Sequence, residues 1–176
     1  MKPVILLTGP PGVGKTTAIK TIMALLGSKA GGFYTQEVRA QGRRTGFEII
    51  TLDGRTAWLA SRSAAVTFKE EISFGKYRVN LRAIDSIAVP ALRRALKAGL
   101  IILIDEIGPM EIASELFNET VLEILKSQAV VVGTVMQRPN VFADRVRAHP
   151  RVRVKHITPD NRDSIPMEVI AELTKR

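Results

Sequence analysis

The sequence predicts an α/β fold, a mainly parallel sheet flanked by helices, with an antiparallel β-meander inserted at about residues 33–60. Three observations predict it. Short apolar runs bounded by Gly, Pro or acidic residues recur along the chain, as strands buried on both faces require. Apolar positions at helical spacing fill the intervals between them. One stretch breaks this alternation with three short strand-like segments joined by hairpin signals. The chain has 176 residues, 45% apolar and 24% charged, and shows no repeat or linker, so residues 1–176 read as one domain with a sizeable core.

The first strand is Pro3 to Thr8, a continuous apolar run. From Gly14 to Leu26 the residues Ala18, Ile19, Ile22, Met23, Leu25 and Leu26 recur at helical spacing, and Gly27 stands where a cap belongs. Phe33–Arg39, Gly46–Leu52 and Thr56–Ala60 form the meander, with Gln41-Gly42 in its first link and Asp53-Gly54 in its second. Residues 61–79 carry no clear period and read as irregular. Asn80 caps a helical region over 81–98 that Pro90 divides or kinks. Leu100–Ile104 is the second buried strand. Ile112, Leu116, Phe117, Val121, Leu122, Ile124 and Leu125 outline an amphipathic helix, and Ala129–Gly133 is the third core strand. Arg151–Lys155 alternates as a half-exposed strand should, and a closing helix begins near Asn161.

Composition removes several classes of function. There is no Cys, which excludes a disulfide scaffold, a thiol nucleophile and any Cys-ligated metal. The longest apolar stretch, Ala98–Ile104, ends at Asp105, far short of the roughly 18–20 residues that span a bilayer. The apolar start of the chain is too short for a signal peptide and is followed by no small-residue cleavage site, so a cytoplasmic protein with no membrane partner is expected.

The chemistry begins at Gly9-Pro10-Pro11-Gly12-Val13-Gly14-Lys15-Thr16, which fits G-x-x-x-x-G-K-[ST] without a mismatch. The glycines let the backbone curl so that successive N–H groups converge on one centre. The following helix adds unpaired N–H groups and the positive end of its dipole, and Thr17 extends the candidate nucleotide-binding stretch into its first turn. Lys15 reaches the outer phosphates as a point charge, and the Thr16 hydroxyl is a candidate Mg²⁺ ligand. A strand before the loop and a capped helix after it supply the context this motif needs.

The second element is Leu100–Glu106, an apolar strand that ends in two carboxylates. Ligands of open parallel sheets bind beyond the carboxyl ends of the strands, which brings Asp105 and Glu106 to the phosphate site. Asp105 is the candidate for holding Mg²⁺, usually through its water shell. Glu106 is the candidate general base that orients and deprotonates an attacking water. Gly108 completes the candidate nucleotide-binding set. A glutamate placed to activate water argues for hydrolysis, since small-molecule kinases must keep water out. No Asn-Lys-x-Asp motif is present, so strict GTP specificity has no support.

Three further stretches carry a family resemblance: Gly32-Phe33-Tyr34-Thr35-Gln36-Glu37-Val38-Arg39, Arg44-Thr45-Gly46-Phe47-Glu48-Ile49 and Asp105-Glu106-Ile107-Gly108-Pro109-Met110-Glu111. With the phosphate loop they resemble the small nucleoside-triphosphatase family of thermophilic prokaryotes, whose animal relatives are called cancer-related nucleoside-triphosphatase. Gly75-Lys76-Tyr77 and Asn161-Arg162-Asp163 also stand where that family has similar residues. The resemblance covers essentially the whole chain. It implies a RecA-like P-loop NTPase fold, slow Mg²⁺-dependent hydrolysis of several NTPs to NDP and phosphate, and roles for Lys15, Thr16, Asp105 and Glu106 that match the family motifs.

Weaker candidates surround this set. Thr134 and Gln137 follow the third core strand, where a polar residue contacts the γ-phosphate or the attacking water, or else caps its neighbour. Arg62, Arg78 and Arg138 are candidates to supply charge to the transition state, against the simpler reading of solvated surface arginines. Asn161 and Arg162 either approach the base or, for Asn161, cap the last helix. His149 and His156 lack an acidic partner at triad or metal spacing, and Trp58 and Tyr34 read as packing residues.

Charge is uneven. The formal total is +9, with −5 over residues 100–127 and +5 over 128–155. A basic field draws in an anion as small as NTP–Mg²⁺, so it does not require nucleic acid, for which no recognition motif is present. Arg151, Arg153 and Lys155 most simply make a solvated face. Two alternatives to a free-standing hydrolase remain: a kinase with an arginine-rich lid in 61–79, and a nucleic-acid-linked or regulatory ATPase whose hydrolysis is slow until a partner arrives.

Overall fold

The computed structural model describes residues 2–174. Nine strands form a single sheet in the order β5-β6-β4-β3-β2-β7-β8-β1-β9. Here β1 is Val4–Thr8, β2 Ala30–Ala40, β3 Arg43–Thr51, β4 Thr56–Ser61 and β5 Glu71–Phe74. The remaining strands are β6 Tyr77–Asn80, β7 Ile101–Ile107, β8 Val131–Val135 and β9 Val152–His156. The run β2-β7-β8-β1-β9 is parallel, and the strands beyond β2 are antiparallel.

The continuous apolar runs follow from cores on both faces of the sheet. Val4 and Leu6 enter one core with Leu92, Phe117, Val121 and Ala143. Ile5 and Leu7, pointing the other way, join Ile19, Ile22, Ile165 and Val169. The helices are α1 Lys15–Leu26, α2 Leu81–Ala83, α3 Val89–Lys97, α4 Glu115–Lys126, α5 Val141–Arg147 and α6 Ile165–Thr174. None of them is long and apolar enough to cross a membrane.

The meander is less an insertion than a prolongation of one strand. Residues Ala30–Phe33 of β2 pair in parallel with Ile101–Ile104. From Phe33 onward the same strand pairs antiparallel with β3. Because β2 outruns its parallel neighbour, the β2–β3 hairpin projects past the carboxyl edge of the parallel strands.

Several boundaries differ from expectation. The stretch 61–79 is not irregular throughout: β5 and β6 form a hairpin over Gly75-Lys76, with Gly75 at φ 56°. All four residues of β5 are exposed, so no burial pattern marks it. Pro90 is accommodated by a π-helical turn, Ile84–Ala88, between α2 and α3. Asn80 caps α2 as expected, accepting the Ala83 N–H at 3.2 Å. Helix α5 has no counterpart among the elements expected from the sequence. It is only two turns long, and Asn140 caps it by accepting from Phe142 and Ala143 at 2.9 and 3.1 Å.

Arg151 is the clearest correction. It does not share a solvated face with Arg153 and Lys155 but is 6% exposed. Its guanidinium donates to the carbonyls of Lys2, Ile124, Leu125, Ser127 and Ala129. It thereby satisfies the orphan carbonyls at the end of α4, next to the start of the sheet. Asn161 is not the cap of α6, which begins at Ile165. Its side chain accepts from the Thr158 N–H at 2.8 Å and donates to the His156 carbonyl at 2.9 Å, closing the turn between β9 and α6.

Candidate active site

The loop after β1 has the backbone its glycines permit. Gly12 and Gly14 adopt φ 79° and 113°, a left-handed region closed to most side chains. Gly14 caps α1 with no side-chain bond, which leaves the first N–H groups of the helix free for an anion. Pro10, Pro11, Gly12 and Thr17 are exposed, Val13 is buried beneath them, and the Val13 N–H donates to Pro10 O at 3.3 Å. The Lys15 ammonium donates to the carbonyls of Gly9 and Pro10 at 2.9 and 3.3 Å, lying back over the loop it belongs to.

Asp105 lies inside β7, not beyond its end, because β7 runs on to Ile107. The register of β7 with β8 shifts between Ile104 and Ile107, so both acids sit within a local irregularity of the ladder. Asp105 is 1% exposed, and both of its oxygens are engaged. Oδ2 accepts from the Thr16 hydroxyl at 2.8 Å and Oδ1 from the Thr134 hydroxyl at 2.6 Å. Thr134 is itself within β8 and fully buried, not on the loop after it. Its hydroxyl hydrogen is directed at Asp105, so it orients that carboxylate. Gln137 is exposed on the following loop.

Electrostatics follow from burial. Desolvation raises the Asp105 pKa, against the Thr134 and Thr16 bonds and the charges of Lys15 and Lys20. Burial also raises Glu106, opposed by Lys15 and reinforced by the Asp105 charge. Lys15 thus acts on both acids.

Two participants were missed. Glu111, quoted only as part of a motif, is 4% exposed, and its pKa stands well above the ordinary carboxylate range. Burial is the main cause and the Glu106 charge the next, with hydrogen bonds from its own N–H and that of Gly108 opposing. Gly108 lies between the two carboxyls: a Cβ there would stand 3.2 Å from Glu106 Cδ and 3.0 Å from Glu111 Oε2. Its lack of a side chain makes room for both acids. Lys20, the second, is one turn after Thr16 and therefore on its face of α1, a spacing the sequence already displayed. Its ammonium donates to Gln36 Oε1 at 2.7 Å and lies 5.1 Å from the centre of the Tyr34 ring.

The arginine candidates do not converge here. Arg78 is engaged by the Ser63 and Val66 carbonyls, with Glu71 at 3.8 Å, and fixes the 63–66 loop. Arg62 and Arg138 are exposed. His149 accepts the Arg151 N–H through Nδ1 at 3.3 Å, a structural contact, and His156 is exposed. Arg162 lies over the phosphate loop, its Cδ 3.6 Å from where a Cβ on Gly14 would be.

Comparison with known proteins agrees with this geometry. The family model described as NTPase matches residues 4–170. The chain belongs to the NTPase family. The match runs from the first residue of β1 into α6, so it takes in the phosphate loop, the meander, the acidic strand and the β9–α6 turn. Nucleoside-triphosphatase THEP1 of Thermotoga petrophila is 42% identical over 94% of this chain and 90% of its own length. A mouse cancer-related nucleoside-triphosphatase homolog is 38% identical, covering 95% and 94% of the two chains. The crystal structure of THEP1 from Aquifex aeolicus superposes with a TM-score of 0.86 at 37% identity, over 99% of this chain and 100% of that one. The solution structure of a human cancer-related nucleoside triphosphatase gives 0.82 at 34%, over 99% and 98%. The mainly parallel P-loop-type sheet expected from the sequence is thus the architecture of this family.

Proposed function

We propose that the chain hydrolyses nucleoside triphosphates to the diphosphate and inorganic phosphate, in a Mg²⁺-dependent reaction with Glu106 as general base. The observation that carries this reading is the half-buried Glu106 carboxylate, its pKa raised by burial, beside the lysine of the phosphate loop. A base tuned toward neutrality at that position serves water activation and has no evident structural task.

The residues suit the metal. Thr16 and Asp105 offer two hard oxygens bonded to each other at 2.8 Å, next to a cradle for phosphate. Mg²⁺ is normally held by one or two protein oxygens plus phosphate oxygens and water, not by a protein cage. Among the described residues no three His, Cys, Asp or Glu side chains form such a cage. When bound, Mg²⁺ supplies charge neutralisation and phosphate orientation.

This chain's own residues do the remaining work. The N–H groups of Gly12 and of residues 14–16 hold the α- and β-phosphates, and Lys15 leaves the Gly9 and Pro10 carbonyls for the outer phosphate oxygens. Glu106 takes a proton from water as that oxygen bonds to the γ-phosphorus. The bond from phosphorus to the β–γ bridging oxygen breaks, and its electron pair leaves with the diphosphate. Thr134 keeps Asp105 in place, and Glu111 crowds Glu106 from behind Gly108. The kinase alternative needs an arginine-rich lid, and Arg78 in the relevant segment is tied to backbone carbonyls. The nucleic-acid alternative loses Arg151 from its basic face to burial.

Glu106→Gln tests the assignment. It should lower kcat by about 10²–10⁴, the usual contribution of a general base, while ADP still binds. Normal turnover in this variant would sink the base assignment.

A further inference from the structure

β1 and its phosphate loop have two flanks. On one lies β8, with β7 and the acids beyond it. On the other lies β9, followed by the turn that leads into α6. A triphosphate held with its γ end toward Lys15 and Asp105 therefore directs its α-phosphate, and whatever is attached to it, toward the β9 flank.

That flank is built, and the proposed hydrolysis leaves it without a role. The turn is seated on the loop at two points. The Ile157 N–H donates to Thr8 O at 2.8 Å, and a Cβ on Gly9 would stand 2.7 Å from the Ile157 carbonyl oxygen, so only glycine permits this approach. At the other end the Arg162 stem lies over Gly14. Between these points Asn161 locks the turn through Thr158 and His156, and the Arg162 N–H donates to Thr158 O at 3.0 Å. A cavity of about 320 Å³ opens beside it, lined by Gly14, Thr17, Ala18 and Thr21 of the α1 side and by Arg162, Asp163 and Pro166 of the turn and α6. Arg162 is exposed, and none of the ion pairs among the described residues includes it.

We infer that this cavity seats the nucleoside, with the Arg162 guanidinium stacked on the face of the base. The inference rests on the proposed NTP reading and extends it to how the base is held. A planar guanidinium recognises the π-face that every nucleobase has. The Thr17 hydroxyl rotates and serves as donor or acceptor alike, while Thr21, whose hydroxyl donates to Thr17 O at 3.1 Å, can accept. Stacking grips the nucleoside by its face, the part that ATP, GTP, CTP and UTP have in common.

The test compares Arg162→Ala with the unaltered chain on these four NTPs and on inorganic tripolyphosphate, which has no base to seat. Stacking of this kind corresponds to about a tenfold change on truncation. The KM should rise about tenfold for all four NTPs, with kcat little altered and the tripolyphosphate KM within twofold. Arg162→Lys, which keeps the charge and loses the plane, should retain most of the defect. Unchanged NTP KM values would overturn the inference, as would an equal rise for tripolyphosphate or full rescue by lysine, either of which makes Arg162 a phosphate-facing charge. Calorimetric binding of ADP against pyrophosphate reads the seat without turnover: Arg162→Ala should weaken ADP alone. A chain that hydrolyses nothing yet shows this difference would fail the hydrolase reading and keep the nucleoside seat.

Discussion

Thr134→Val removes one hydroxyl from the most buried part of the site and leaves the shape of the side chain. Thr134 is fully buried, and its single side-chain bond ends on Asp105, which is 1% exposed, at 2.6 Å. A bond to a charged group contributes about 1.5–3 kcal/mol net, and one between neutral groups about 0.5–1.5 kcal/mol. No cavity is made, so the cost should be about 2 kcal/mol while Asp105 is ionised and about 1 kcal/mol once it is protonated. The sign follows from burial. Burial raises the Asp105 pKa and the Thr134 bond pulls it down, so without the bond the folded state holds the proton more tightly. The deficit of the variant is therefore full above the folded Asp105 value and shrinks as pH falls through it. Urea unfolding followed by Trp58, the only tryptophan, measures this in buffers stepped from alkaline to acidic. A deficit that is constant across that range, or an undiminished cost of Thr134→Val in an Asp105→Asn background, would refute the reasoning.

Glu111→Gln should change the pH dependence of stability. A carboxyl whose proton is held more tightly when folded lends stability at low pH that is lost as pH rises from the unfolded value through the raised folded one, at about 1.4 kcal/mol per unit. The variant should lack that loss and be the more stable protein in alkaline buffer, as thermal melts across pH would record. Arg151→Met leaves carbonyls at the end of α4 without a donor in a buried setting and should cost about 3 kcal/mol in urea unfolding, independent of added nucleotide.

The parallel half of the fold was legible because its strands are buried on both faces, and uninterrupted apolar runs such as Val4–Leu7 and Ile101–Ile104 suit few other settings. The phosphate loop was legible for a different reason: its residue types are dictated by backbone conformation at Gly12 and Gly14 and by anion charge at Lys15. What escaped was whatever depended on neighbours remote in sequence. Strand β5 is exposed along its length, and α5 is too short to establish a period. Arg151 looks like its alternating neighbours because the carbonyls it serves lie 22–27 residues earlier in the chain. Thr134 reads from the sequence as lying beyond its strand, and only the pairing of β7 with β8 brings it under Asp105.

On the proposed Mg²⁺-dependent reading, the charges of the site favour a substrate that arrives with its cation. Burial raises the pKa of Asp105, Glu106 and Glu111 alike, the Asp105 charge raises both glutamates further, and the Glu106 charge raises Glu111. Lys15 acts on the first two of these acids and also sits on the carbonyls of its own loop. A bare triphosphate drawing Lys15 outward would leave Asp105 and Glu106 with less compensation and add several negative charges within reach. The carboxyls would then take up protons, and a protonated Glu106 cannot serve as a base. On the proposed reading, a divalent cation held by Thr16 and Asp105 would reverse this sign, lowering the pKa of both acids and keeping Glu106 able to act as a base. The basic exterior acts earlier in the same sequence, since the formal +9 attracts a cation–nucleotide pair that still carries net negative charge. On the proposed reading the burial of Asp105 would be tolerable because its carboxylate need be fully ionised only with a cation beside it.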